Sequence, residues 1–209
     1  MTGQLSLLRQ NWQMQSALSE TEGPRLFAVR DPATGFALQK CSHLPFCSFD
    51  CGDADLNEWF RQDVVASTAR LMTQTYALFH EGDTETLALV SVCNDAVRLE
   101  DLRDNISIPE GKRHDWPAVK IARLGVLREL QRNNLGSHAI NLLKRMFITE
   151  NRTGCRIMTV DAYNKRDVIK FYSRNGFELL VDRDQGNPTR AMWFDLFKVV
   201  EEMAIPQLA

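Results

Sequence analysis

The chain has 209 residues, 44% of them hydrophobic, with 25 Lys and Arg against 27 Asp and Glu for a net charge of −2. That length and apolar share support one large domain with a sizeable core. So small a net charge gives no bulk attraction to nucleic acid or to an anionic membrane, and no apolar run reaches membrane-spanning length. The opening "MTGQLSLLRQNWQMQ" lacks the uninterrupted apolar stretch of a signal peptide, so a cytoplasmic location and no membrane partner are expected.

In chain order, residues 1–37 carry the breakers Gly23-Pro24 and Asp31-Pro32 and read as an N-terminal arm. Residues 38–199 read as the domain and 200–209 as a tail. The five cysteines, Cys41, Cys47, Cys51, Cys93 and Cys155, are odd in number and fit no zinc spacing. His43, His80, His114 and His138 are scattered, and "CSHLPFCSFDC" lacks a matching second half, so no metal is expected. "DADLNEWFRQDVVASTARL" predicts a helix with Asp53 as N-cap and Leu56, Trp59, Phe60 and Val64 on one face. "TQTYALFHE" and "TLALVSVCNDAV" are β-rich and flank a hairpin signal, "GDTE". "NISIPEGKRHDWPAV" reads as loop and "VKIARLGVL" as a strand.

"GSHAINLLKRMFITEN" places Ile140, Leu143, Met146 and Phe147 on one helical face, and "CRIMTVDAY" reads as a buried strand. "KRDVIKFYSRN" is a short helix stopped by Gly176, with "FELLVDRD" and "RAMWFDLFKVV" as two final strands. This order predicts an α+β, mixed α/β fold around one sheet.

The segment "LGVLRELQRNNLGSHAI" runs from strand through polar turn into helix. Such a turn offers an anion the free N–H groups and positive dipole end of the helix. Gln131 and Arg132 add donors, and Ser137 can cap the helix or meet a phosphate oxygen. The alternative is an ordinary connection with Asn134 and Gly136 as turn formers. Neither the Walker-A nor the dinucleotide glycine pattern is present.

In "NKRDVIKFYSRNGF", Asn164, Val168 and Tyr172 fall at i, i+4 and i+8. With Gln131-Arg132-Asn133-Asn134-Leu135-Gly136 upstream, the run from Val119 to Phe177 resembles the GNAT N-acetyltransferase superfamily. That family has a Gln/Arg-x-x-Gly-x-Gly/Ala loop after its fourth strand, and later an Asn…Ala…Tyr helix closed by Gly-Phe. "FDCGDADLNEWF" is similar to the opening of a bacterial subgroup close to toxins that acetylate aminoacyl-tRNA. The resemblance covers about residues 38–197, and it departs from the pattern at Asn134, which replaces the first motif glycine, and at Arg132, where relatives often have another. Asn is the non-glycine residue best suited to the left-handed conformation.

The resemblance implies a central, mostly antiparallel sheet splayed at an acetyl-CoA cleft and flanked by helices. It implies acetyl-CoA as co-substrate, with its pyrophosphate on Gln131, Arg132, Asn133, Asn134, Leu135, Gly136 and Ser137. Backbone groups of Leu124 and Val126 would pair with pantetheine and polarise the acetyl carbonyl. Asn164 would hold the pantetheine arm, and Tyr172 would be the general acid for the departing thiolate. Core packing and helix capping are the alternative roles of Tyr172 and Asn164. The base is not readable; Asp95 and Asp161 are the acidic candidates, and Asp95 is expected on the acceptor wall with "CGDADLNEWF" and "VCNDAV".

Three activities follow. One is acetyl transfer to a primary amine of a small molecule or peptide. Another is toxin-like acetylation of aminoacyl-tRNA, for which "KRHDWPAVKIAR" and "LLKRMF…NRTGCR" supply cations. A third is a non-catalytic CoA-binding module. tRNA and a second copy in a homodimer stand as further partners.

Overall fold

The computed structural model describes residues 27–41, 48–102, 115–150 and 154–204; His43, Cys47 and His114 lie outside them. The first strands are β1 (Phe27–Asp31) and β2 (Phe36–Cys41), followed by α1 (Ala54–Glu58), a π turn (Trp59–Asp63) and α2 (Val64–Ala69). Then come β3 (Gln74–His80), β4 (Ala88–Arg98), α3 (Leu99–Leu102), β5 (Asp115–Val126) and a 3₁₀ turn (Arg128–Leu130). The last part holds α4 (Leu135–Thr149), β6 (Ile157–Tyr163), α5 (Arg166–Arg174), β7 (Glu178–Leu179), β8 (Thr189–Asp195) and α6 (Phe197–Ala204). The strands form one sheet in the order β1-β2-β3-β4-β5-β6-β8-β7, antiparallel except for β5 and β6. The splayed mixed sheet expected from the resemblance is the one observed.

Several boundaries move. Residues 27–37, expected in the arm, form β1, its turn and the start of β2, and Ala37 among them is fully buried. β5 starts at Asp115, inside the expected loop; Pro117 lies before pairing with β6 begins at Ala118, an edge position where a missing N–H is tolerated. The predicted last strand stops at Asp195, whose carboxylate accepts the Phe197 N–H at 3.0 Å and turns the chain into α6. Of "FELLVDRD" only Glu178–Leu179 is strand. The first helix is interrupted by the π turn, although Asp53 caps it as expected, accepting from Leu56 N at 3.1 Å.

The two faces of the sheet are covered differently. On one, Leu38, Leu78, Val90 and Val119 meet Ala139, Ile140, Leu143 and Met146 of α4, the predicted helical face. On the other, Phe60 of the π turn packs with Phe49, Cys51, Ala77, Phe79 and Leu89. Gly125 is where this second layer comes closest to β5: a Cβ there would stand 3.2 Å from Cys51 Cβ, Cys51 Sγ and Phe49 Cε1. Gly125→Ala is therefore expected to cost about 1–2 kcal/mol by overpacking. Gly186→Ala, with nothing within 4 Å of its added methyl, should be neutral in the same urea titration.

Candidate active site

The sheet opens between its two parallel strands. β5 pairs with β6 only from Ala118 to Ile121, after which β5 stays with β4 while β6 stays with β8. A bulge marks the parting: Ser91 faces Arg123 and Val92 faces Ile121, so Ala122 is the extra residue. Beyond it, Leu127 N donates to Leu87 O at 3.0 Å. By strand alternation, the backbone groups of Leu124 and Val126 turn away from β4, toward the fork. Any side chain permits that arrangement. A cleft of about 1360 Å³ fills the fork and runs to the start of α4.

The turn into α4 combines a left-handed backbone with free helix N–H groups. Asn134 sits at φ 61°, ψ 7°, the left-handed conformation expected where the family has glycine, and Arg132 is left-handed too at φ 69°. The second departure thus carries strain of about 1 kcal/mol that a glycine would not. His138 N makes the first helical bond, to Asn134 O at 3.0 Å, so the N–H groups of Leu135, Gly136 and Ser137 have no acceptor within the helix. A Cβ on Gly136 would meet Phe171 Cζ at 2.9 Å, so α5 presses against this end of α4 and a side chain there would displace the ring.

Most of the expected residues line the cleft: Leu124, Val126, Gln131, Arg132, Asn134, Leu135, Gly136, Ser137 and Tyr172. Asn133 is exposed and does not. Neither does Asn164, whose Nδ2 donates to Gln185 O and Asn187 O, both at 2.9 Å, and whose N–H donates to Pro188 O at 2.8 Å. It precedes α5 and anchors the loop before β8, instead of holding a ligand or capping the helix, whose N-cap is Lys165.

Asp95 is also off the cleft lining. Its Oδ2 accepts from Thr159 Oγ1 at 2.6 Å and lies 3.4 Å from Lys120 Nζ, which is itself 3.0 Å from Asp161. Burial works against the Lys120 charge, but the hydrogen bond it donates to Asp161 and the two carboxylates outweigh it and raise the ammonium pKa. Asp95 is thus satisfied within the sheet, and of the two partners of Lys120 it is Asp161 that lines the cleft. Asp95→Asn should keep the Thr159 bond, lose about 1 kcal/mol and lower the melting temperature by ~2–4 °C. Acetyl-CoA affinity and acceptor kinetics should hold within about twofold; a tenfold rise in acceptor KM would restore Asp95 to the acceptor wall.

The cations also differ from the sequence expectation. Lys144 is buried, donating to Asn175 O at 2.6 Å with Nζ 3.5 Å from the Phe194 ring centroid. Arg145 pairs with Asp31 at 3.4 Å, and Arg156 clasps Asp195 through two bonds of 2.9 and 2.7 Å. The cleft instead draws Lys165, Lys170 and Arg174 from α5 and its approach, beside Arg132. Lys170 and Arg174 stand at i, i+4, a signal present in "VIKFYSR".

Across from them lie Cys51, Asp53, Asp55 and Leu56, with Asp161 and Tyr163 on β6. Tyr163 donates to Asp55 Oδ2 at 3.4 Å across the fork; burial, then the charges of Asp53 and Asp55, raise its pKa. The Arg123 guanidinium lies 5.0 Å from the Trp59 ring centroid and gives Nη1 to Ala122 O at 2.8 Å. The Tyr163–Asp55 and Arg123–Trp59 contacts were not legible in the sequence, because each joins segments far apart in the chain. The cleft thus gathers Arg132, Lys165, Lys170 and Arg174 with Asp167 along α5 and the start of α4, and Asp53, Asp55 and Asp161 with Lys120 and Arg123 along the other elements. The cations of the first group suit a polyphosphate ligand, and the carboxylates of the second suit a cationic amine.

Among the described residues no helix is long and apolar enough to cross a membrane, and no group of three His, Cys, Asp or Glu could hold a metal ion. No protein-family model matches the sequence. Solved structures do match the fold. A bacterial toxin superposes with TM-score 0.65 at 16% identity, over 79% of this chain and 94% of that one. AtaTR bound with AcCoA gives 0.59 at 20%, over 81% and 98%. AtaT complexed with acetyl-methionyl-tRNAfMet gives 0.61 at 20%, over 80% and 98%. At these identities the likeness establishes the fold, which agrees with the resemblance drawn from the motifs.

Proposed function

We propose that the chain is an acetyl-CoA-dependent N-acetyltransferase acting on a primary amine. The observation that carries this is the fork itself: backbone groups of Leu124 and Val126 face a cleft that ends on the N–H groups of Leu135, Gly136 and Ser137. Acetyl-CoA would supply the thioester. The N-terminus of α4, with Arg132, would take the pyrophosphate, and the β5 backbone would align pantetheine and polarise the acetyl carbonyl. Lys165, Lys170 and Arg174 suit its remaining phosphate. Asp161 and Asp55 would attract the ammonium form of the acceptor, and a water chain can carry its proton away before attack. Tyr172 would return a proton to the leaving sulfur. Titration calorimetry with acetyl-CoA, followed by a mass-spectrometric screen of amines for the acetyl adduct, tests the reading. Absence of binding heat and of adducts would reject it, and binding without any adduct would favour a CoA-binding module.

A second reading makes the acceptor the amino group of an aminoacyl-tRNA. The likeness to AtaT complexed with acetyl-methionyl-tRNAfMet favours it. Here acetylation of methionyl-tRNA should exceed that of free methionine and fall steeply with added salt, because phosphate contacts dominate tRNA binding. Growth arrest on expression, relieved by an antitoxin partner, belongs to this reading alone. Equal rates on both acceptors at all salt concentrations would leave only the small amine.

A further inference from the structure

The Gln131 side chain is engaged away from the helix N-terminus it precedes. Nε2 carries two hydrogens, and the carboxamide donates to Cys51 O at 2.7 Å and Val126 O at 3.3 Å. The first acceptor belongs to the turn ahead of α1, 80 residues away in sequence, and the second ends the strand that lines the fork. Both donors of one planar group are therefore spent on backbone carbonyls, with none left for a phosphate.

Cys51 passes that tether on. Its N–H donates to Asn57 Oδ1 at 2.9 Å and its thiol to the same oxygen at 3.2 Å. Asn57 Nδ2 donates to Asp50 Oδ1 at 2.7 Å, which also accepts Gly52 N at 2.7 Å. A second link runs parallel to the first: Arg128 N donates to Asp50 O at 2.8 Å, and Arg128 Nε lies 3.7 Å from Asp50 Oδ2. The turn that carries Cys51, Asp53 and Asp55 into the cleft is thus fastened to Arg128, which opens the 3₁₀ turn, and to Gln131, which follows it.

We propose that Gln131 is a positioning residue that couples the phosphate-binding loop to the acceptor wall. An anion held on Arg132 to Ser137 fixes the loop, the loop fixes the Gln131 carboxamide, and the carboxamide fixes Cys51 and the turn behind it. The wall that would receive the amine is thereby ordered when acetyl-CoA is held on the loop. This rests on the acetyl-CoA reading of the cleft.

Hydrogen exchange of residues 50–57 and acetyl-CoA calorimetry test it on the full chain. Gln131→Met keeps length without donors, and Gln131→Arg restores donors that reach both carbonyls. Saturating acetyl-CoA should slow exchange of the segment about threefold or more in the wild type and in Gln131→Arg, and leave it unchanged in Gln131→Met. The dissociation constant should stay within about twofold in Gln131→Met. A slowing retained in Gln131→Met, or affinity weakened about tenfold there, would overturn the coupling and make the side chain a phosphate ligand. The ligand-free proteins separate the two readings. Faster exchange of the segment in Gln131→Met than in wild type upholds the tether even if wild type gives no heat with acetyl-CoA. Identical exchange overturns the tether, whatever acetyl-CoA does.

Discussion

Gly136→Asp is expected to weaken acetyl-CoA binding about a hundredfold or more. Two effects combine. The carboxylate enters the first turn of α4, beside the N–H groups of Leu135, Gly136 and Ser137 that have no acceptor within the helix, and would repel a pyrophosphate held there. The new Cβ also meets Phe171 Cζ at 2.9 Å and Cε2 at 3.1 Å, so the ring must shift. Gly136→Asn carries the same bulk without charge and separates the two. If the anion site lies here, Asn should keep a larger share of the affinity than Asp while both lose similar stability, about 1–3 kcal/mol from overpacking. Calorimetry and thermal melts on the pair decide it. Equal affinities for Asp and Asn would show that no negative charge sits at the helix N-terminus, and unchanged affinity in both would move the cofactor elsewhere.

The contrast between Gly136 and Asn134 shows what kind of information the sequence held. Asn134 was legible because a left-handed backbone is a local demand, and Asn is the residue besides glycine that meets it. Gly136 was legible only as a motif position, since its physical reason is a ring from another helix, 35 residues on. Gln131 sits on the same loop yet answers to Cys51, and its neighbours in sequence say nothing of that. Asn164 and Asp95 show the same limit. Each has a residue type suited to the cleft and lies close to it in sequence, but the loop carbonyls of Gln185 and Asn187 claim the one, and Thr159 and Lys120 the other.

The fold was more accessible, because period and caps are local too. The face of α4, the Asp53 cap and the hairpin between β3 and β4 all appear where the pattern put them. What misled was punctuation read without the sheet. Asp31-Pro32 marks the turn of the first hairpin rather than the end of an arm, and Pro117 is tolerated in β5 because its neighbour strand begins one residue later. The cations of "LLKRMF" were read as a surface track, yet the 3.6-residue period already places Lys144 next to Leu143 on the inward side of α4. Period outranks charge there because the core has room for the stem and a carbonyl for the ammonium.

Tyr172→Phe should fold normally, bind acetyl-CoA with unchanged affinity and transfer acetyl about a hundred- to ten-thousand-fold more slowly. The side chain is 6% exposed and lies edge-on between Phe171 and Phe177, with ring centroids 5.0 and 5.6 Å away, yet it lines the cleft. Burial pushes the phenol far above its ordinary range, so the hydroxyl holds its proton in the folded protein at a pH where free tyrosine, near 10, has lost it. That is the state a proton donor to a departing thiolate requires. The sign of the shift makes a second expectation. Because the folded pKa is raised, ionisation of Tyr172 cannot produce an alkaline fall in rate at or below about pH 10, and any such limb must persist in the Phe variant. A ring held by its two aromatic neighbours accounts equally well for the burial, and that role survives loss of the hydroxyl. The variant therefore isolates the one atom on which the two roles differ. Turnover within about twofold of wild type would leave Tyr172 as packing between α5 and the core, and the sulfur would then take its proton from water in the fork.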